Sequence, residues 1–150
     1  MLRPITEDEF TAGDPSWRVV EDEQARRFAA LVLPDASHPL LLGWRSDGIE
    51  PRLVEDPLTG DTWIGVDEHL ACVSRAGAVR FAMGLAGPVL EVQVSHSWIV
   101  VLCEIQVVGV NRDYSVRTIR DLPDVAESVR VDDGTLVVAL MDGDEQTFPF

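Results

Sequence analysis

The sequence contains no lysine, so arginine supplies all of its positive charge. Twelve basic residues stand against 26 acidic ones, which gives the 150-residue chain a formal net charge of -14. A field this negative repels phosphate backbones and anionic lipid surfaces, and it therefore argues against nucleic acid or a membrane as the direct partner. It attracts cations and basic proteins, although a net charge of this size also serves solubility alone.

Cysteine is scarce, and long hydrophobic runs are absent. Cys72 and Cys103 are too few for a disulfide framework, and each lies in an apolar run that predicts a buried free thiol. No apolar run approaches the length of a membrane span. Because the start of the chain becomes acidic at once and has no apolar signal core, we expect a cytoplasmic protein.

The residues that are present predict one soluble domain that is mainly β. Hydrophobic residues make up 46% of the chain and charged residues 25%, which is typical of a globular protein. From Leu40 onwards, short apolar runs are separated by turn residues, and this spacing predicts antiparallel strands. Asp132-Asp133-Gly134 and Asp142-Gly143-Asp144 predict tight hairpins, because glycine accepts the positive φ that such turns require.

The N-terminal part of the chain lacks this alternation. We expect residues 1–39 to cap the repeated sheet region of residues 40–150 within a single domain. Thr6, followed by three acidic residues, predicts the N-cap of a short helix. The segment 21–33 fits a helical stripe and also a buried strand, and we favour a strand after a turn. Proline and aspartate predict a loop at 34–39.

An internal repeat runs through the second half of the chain. A shift of 35 residues places Trp63-Ile64-Gly65-Val66 on Trp98-Ile99-Val100-Val101, and a shorter third copy begins at Thr135. A period of 35 to 38 residues with three or four strands is the size of a propeller blade. The matching positions of the two tryptophans predict that both lie in the core.

The stretch from Trp63 to Phe81 resembles the repeat of quinoprotein-type (PQQ-like) β-propellers, with Phe81 where the family usually has tryptophan. The residues that match its strand, glycine and turn pattern are Gly65, Leu70, Ala71, Val73, Gly77 and Val79. The resemblance covers about residues 62–150. It implies blade-like antiparallel sheets or a sandwich. A propeller needs at least four blades to close around a ligand, and this chain has two or three repeats, so we expect no cofactor.

No group of residues predicts catalysis or metal binding. His69 and Cys72 are three residues apart, a spacing that puts them on opposite faces of a strand. In Ser95-His96-Ser97, neighbouring side chains also point to opposite faces and cannot pair as nucleophile and base. The glycine-rich segment 84–88 lacks the Lys-Ser/Thr of a phosphate-binding loop. We therefore expect that the protein is not an enzyme and binds no metal.

Acidic turns near a tryptophan form the predicted contact surface. Its candidate residues are Trp44, Glu55, Asp56, Asp61, Asp67 and Glu68. The sequence predicts a non-enzymatic acidic binding protein, such as an immunity or inhibitor protein that neutralises a basic protein by charge complementarity. Two alternatives remain open. One is a small-molecule binder or enzyme with a pocket between sheets or at an oligomer interface. The other is an accessory domain of a larger complex, and the oligomeric state is also open.

Overall fold

Fifteen β-strands form four sheets that follow one another along the chain in the computed structural model, which describes all 150 residues. Sheet 1 has the strand order β1-β3-β4-β2, and β2 pairs with β4 in parallel. Sheets 2, 3 and 4 are antiparallel meanders of four, four and three strands. This architecture confirms the prediction of a mainly β chain built from successive antiparallel sheets.

The strands have the following bounds. Sheet 1 contains β1 Leu2–Pro4, β2 Arg18–Glu21, β3 Arg27–Leu31 and β4 Leu40–Trp44. Sheet 2 contains β5 Arg52–Glu55, β6 Thr62–Val66, β7 His69–Val73 and β8 Val79–Gly84. Sheet 3 contains β9 Val89–Val94, β10 Trp98–Cys103, β11 Gln106–Asn111 and β12 Val116–Asp121. Sheet 4 contains β13 Ala126–Asp132, β14 Thr135–Leu140 and β15 Glu145–Pro149.

The N-terminal residues form a sheet of their own and also carry the helix α1, Glu7–Ala12. Thr6 is its N-cap, as predicted, because its hydroxyl accepts the Glu9 N–H at 3.1 Å. Phe10 on α1 packs against Ala30 and Leu41 of sheet 1. Since β4 pairs with β3, sheet 1 contains residues from both sides of position 39, and the repeated meanders begin at β5. No helix of the chain is long enough and apolar enough to cross a membrane.

Hydrophobic clusters join each sheet to the next. One cluster lies between sheets 1 and 2, a second between sheets 2 and 3, and a third between sheets 3 and 4. The second strand of each meander places an apolar residue toward the preceding sheet, namely Ile64, Ile99 and Leu136. Trp63 and Trp98 both face the following sheet. The repeat predicted from the sequence therefore corresponds to one sheet per period.

Local predictions at the turns and thiols are also confirmed. Asp133 and Gly134 have φ values of 47° and 77° and form the two-residue hairpin between β13 and β14. Gly143, at φ 95°, lies in the turn between β14 and β15. Both cysteines are buried free thiols. Segment 21–33 contains the strand β3, as favoured over a helix.

A close approach between sheets explains the glycine at position 65. A Cβ atom at Gly65 would lie 2.7 Å from Val89 Cγ1, on the first strand of sheet 3. Atoms at that separation clash, so any larger residue would push the two sheets apart. The glycine of the repeat therefore serves the packing of sheet 2 against sheet 3.

Candidate functional site

The structure divides the six predicted contact residues into a buried set and an exposed set. Four side chains are buried, with exposed fractions of 2 to 4%: Trp44, Asp56, Asp61 and Asp67. Only Glu55 and Glu68 are exposed. A buried side chain cannot contact a partner across the surface. The structure therefore does not assemble the expected contact surface: the four buried residues have structural environments, and the two glutamates lie at opposite ends of sheet 2.

Asp56 connects sheet 2 to sheet 3. It lies in the turn between β5 and β6, and its carboxylate accepts a hydrogen bond from the Arg112 guanidinium in the turn between β11 and β12. Arg112 also donates to the backbone carbonyls of Ser95 and His96, in the turn between β9 and β10. These contacts connect three turns at one end of the sheets. They also bury the Asp56 carboxylate.

Asp61 makes a second connection at the same end. The Tyr114 hydroxyl donates to Asp61 Oδ2 at 2.7 Å, and Arg80 Nε lies 3.9 Å from the same oxygen. Burial, together with the hydrogen bond to Asp61 and its negative charge, raises the pKa of Tyr114 to about 12. The phenol is therefore a stable donor at neutral pH. Burial likewise raises the pKa of the Cys72 thiol to about 12, so it is not a reactive thiolate.

Asp67 joins sheet 2 to the segment that follows sheet 1. Its Oδ2 accepts the backbone N–H groups of Arg45 and Ser46 at 2.9 and 3.0 Å. The residue has φ 46°, a left-handed conformation that aspartate adopts more readily than most residues. The turn between β6 and β7 and the chain leaving β4 are therefore held together by one buried carboxylate.

We expect Asp67→Ala to destabilise the fold by about 2 kcal/mol, because it leaves two backbone donors without an acceptor and places alanine at positive φ. The matched control is Asp133→Ala, since Asp133 also has φ 47° but is exposed and makes no side-chain hydrogen bond. Urea unfolding of both variants separates the two causes. Equal losses of stability in the two variants would mean that the Asp67 hydrogen bonds contribute nothing.

The histidines and neighbouring hydroxyls take part in local contacts. His38 stacks on Trp17 with ring centroids 4.7 Å apart, and His69 Nε2 lies 3.3 Å from Asp22 Oδ2. The Ser95 hydroxyl donates to the Trp98 carbonyl within its own turn. No three histidine, cysteine or acidic side chains lie close enough together to hold a metal ion.

The opposite end of the sheets carries a row of loops joined by backbone hydrogen bonds. The Leu122 N–H donates to the Ile105 carbonyl at 2.9 Å, and the Ala126 N–H donates to the Glu104 carbonyl at 2.7 Å. The Met141 N–H in turn donates to the Val125 carbonyl at 2.9 Å. The turn at 104–105, the loop at 122–125 and the turn at 141–144 are therefore neighbours in space.

These loops collect carboxylates that have no basic partner. None of the following six residues has a basic nitrogen within 4.0 Å: Glu104, Asp121, Asp124, Glu127, Asp142 and Asp144. We call this group the acidic end. Ile105 and Met141 lie among them with exposed fractions of 44% and 65%. Glu68, in the turn between β6 and β7, lies at the same end of sheet 2 as the loop after β8, because the Leu85 N–H donates to its carbonyl.

The sequence contains these acids, but their grouping was missed because they are separated by up to 40 positions. One signal was available. In an antiparallel meander, every second turn lies at the same end, so the turns after β10, β12 and β14 must be neighbours if the sheets are aligned. Counting charge over alternate turns would have separated the acidic end from the opposite one.

No family model matches this sequence, and no curated protein matches it. Among solved structures, the WD40 domain of Pan2 from Neurospora crassa is similar, with a TM-score of 0.52 and 12% identity over 87% of this chain. This chain spans 46% of the length of that one. At this identity the likeness concerns the fold alone, and it supports a propeller-like repeat. Membership of the quinoprotein type in particular stays a prediction.

Proposed function

We propose that this protein is a non-enzymatic binding module whose acidic end holds a basic protein partner. The observation that carries the proposal is the concentration of six unpaired carboxylates around two exposed apolar side chains, Ile105 and Met141. Unpaired acids attract a basic surface over several ångströms and speed its approach. Exposed apolar side chains at the centre of such a surface supply the area that is buried on contact.

The rest of the molecule agrees with a binding role. The Asp56–Arg112 and Asp61–Tyr114 contacts hold sheets 2 and 3 together at the end opposite the acidic loops. A rigid stack of sheets presents loops in a constant arrangement, which lowers the entropy cost of association. A solved structure of similar fold belongs to a WD40 domain, and repeat folds of stacked sheets serve as interaction scaffolds in many proteins.

An immunity or inhibitor role is the specific form of this function that the charge favours. A net charge of -14 complements a strongly basic toxin or nuclease domain. In that form the acidic end covers the basic surface that the partner would use toward nucleic acid, so binding blocks the partner's activity. This role requires tight, stoichiometric association with a single basic protein.

We expect the variant Glu104→Gln/Asp124→Asn/Asp142→Asn to weaken partner binding about tenfold. Each of the three loops loses one charge, and a surface charge contributes about 0.5 kcal/mol, so three sum to about one power of ten in affinity. The basic partner is isolated on the tagged wild-type protein from a lysate of the source organism. Its Kd is then measured by calorimetry at about 50 and about 300 mM salt, between which the Debye length shortens from about 14 to about 6 Å.

The matched control removes the same charge from the other end. Glu55→Gln/Asp132→Asn/Asp133→Asn also changes the net charge from -14 to -11, and all three residues are exposed and free of ion pairs. We expect it to retain the wild-type Kd within about twofold. Equal weakening by both variants would assign the binding to net charge and not to the acidic end. Failure of the wild-type protein to retain any basic protein would contradict the proposed class of partner.

A further inference from the structure

A cavity of about 500 Å³ lies on sheet 1, apart from the acidic end. Its apolar wall is formed by Leu2, Ile5, Phe28 and Trp44. A volume of this size is typical of sites for small molecules, which combine an apolar wall with a few polar groups. The polar groups here include two consecutive arginines, Arg26 and Arg27, together with Glu50.

Of the two arginines, only Arg27 has an acidic partner. Arg27 Nη2 donates to Glu50 Oε1 at 2.7 Å, and the Arg27 guanidinium lies 5.5 Å from the centroid of the Trp44 ring. Arg26 is held through its backbone, because its N–H donates to the Trp44 carbonyl at 2.8 Å. Its guanidinium has no acidic oxygen within 4.0 Å and no hydrogen-bond partner. Arg27 is thus already paired with an acid, whereas Arg26 lines the cavity without an acidic partner.

An unpaired arginine is unusual in this chain. Of the twelve arginines, eight form ion pairs with acids. Two others, Arg117 and Arg120, lie over the rings of Phe150 and Phe148. Only Arg26 and Arg52 have neither kind of partner. A free guanidinium beside an apolar cavity has the planar pair of donors that binds a carboxylate.

We propose that this cavity binds a small carboxylate with an apolar body. The carboxylate accepts hydrogen bonds from Arg26, and the body lies against the half-buried side chains of Leu2, Ile5 and Phe28. The Arg27–Glu50 pair stays intact, so no existing ion pair has to break. Glu7, the other charged residue at the cavity, opposes the ligand by like-charge repulsion. This site is separate from the proposed protein-binding surface and does not depend on it.

Three probes of one shape and different charge test the site. They are 2-naphthoate, 2-naphthamide and 2-naphthylmethylammonium, each titrated by calorimetry into the full-length protein. We expect naphthoate to bind best, the amide more weakly and the ammonium most weakly. The indole N–H resonance of Trp44, whose Nε1 donates to the Ile49 carbonyl at 2.9 Å, reports whether the probe occupies this cavity.

Two variants and one control identify the group that recognises the charge. Arg26→Gln should weaken naphthoate binding about tenfold, and Glu7→Gln should strengthen it about threefold. Arg52→Gln removes the other unpaired arginine and should leave the affinity unchanged. Arg26 and Glu7 are exposed, so both variants are expected to keep the wild-type melting temperature. Absence of naphthoate binding, tighter binding of the ammonium probe, or equal effects of Arg26→Gln and Arg52→Gln would overturn the proposal.

Discussion

Trp63→Ala is expected to lower the free energy of unfolding by about 4 kcal/mol, because it removes a large buried ring from the cluster between two sheets. Trp63 is 1% exposed and lies in the hydrophobic cluster between sheets 2 and 3. Its ring centroid is 5.6 Å from that of Phe81 and 6.2 Å from that of Tyr114. Alanine leaves a cavity that both sheets border, so neither sheet can fill it alone. Urea unfolding followed by circular dichroism measures the loss.

Two further variants distinguish volume from hydrogen bonding. Trp63 Nε1 is buried and has no hydrogen-bond partner. Trp63→Phe keeps most of the ring and removes that unpaired donor, so it should cost less than about 1.5 kcal/mol. Trp98→Ala tests the equivalent repeat position, which is only half-buried, and should cost about 2 kcal/mol. If Trp63→Phe were as damaging as Trp63→Ala, the packing would depend on the full indole ring and could not be met by a smaller aromatic ring.

Asp56→Ala is expected to destabilise the fold by about 3 kcal/mol, because it removes the carboxylate that neutralises Arg112 between two sheets. The Arg112 side chain is 24% exposed and has no other acidic partner. The same substitution also removes the acceptor of the Leu58 N–H. Glu55→Ala is the matched control, since the neighbouring glutamate is exposed and should change stability by less than about 0.5 kcal/mol.

The contribution of Asp56 to stability should decrease as the pH is lowered. Burial raises the pKa of Asp56, but hydrogen bonds from the Leu58 N–H and Arg112 outweigh it, so the pKa lies below its ordinary value of 3.8. A carboxyl with a lowered folded-state pKa contributes stability above its unfolded pKa and loses it as the pH falls through the folded value. The free energies of unfolding of the wild-type protein and of Asp56→Ala should therefore differ by the full amount at neutral pH. This difference should become smaller below about pH 4. A constant difference down to about pH 2 would contradict the ionic role.

A double-mutant cycle with Arg112→Met isolates the pair itself. Asp56→Ala/Arg112→Met removes both charges, so no unpaired charge stays between the sheets. We expect the double variant to be less destabilised than the sum of the two single variants. Additive losses would mean that the two side chains stabilise the fold independently.

The candidate site was only partly predictable from the sequence. Asp56 and Asp61 were correctly placed in turns, but both were interpreted as acids on a contact surface. Asp56 instead meets Arg112, 56 positions further along the chain, and Asp61 meets Tyr114, 53 positions further. Local patterns identify a turn because they determine φ and ψ. They carry no information about which distant turn lies beside it.

Local sequence pattern was enough to predict the elements of this protein: the strands, the hairpin at Asp133-Gly134, the capped helix at Thr6 and the repeat that became one sheet per period. Each of these follows from side-chain alternation, capping or positive φ within a few residues. The packing of the sheets was needed to show that Asp56, Asp61 and Asp67 are buried, and that Glu104, Asp124 and Asp142 form one acidic end. Burial and charge grouping depend on contacts between residues far apart in the chain, and those contacts exist only once the sheets have packed together.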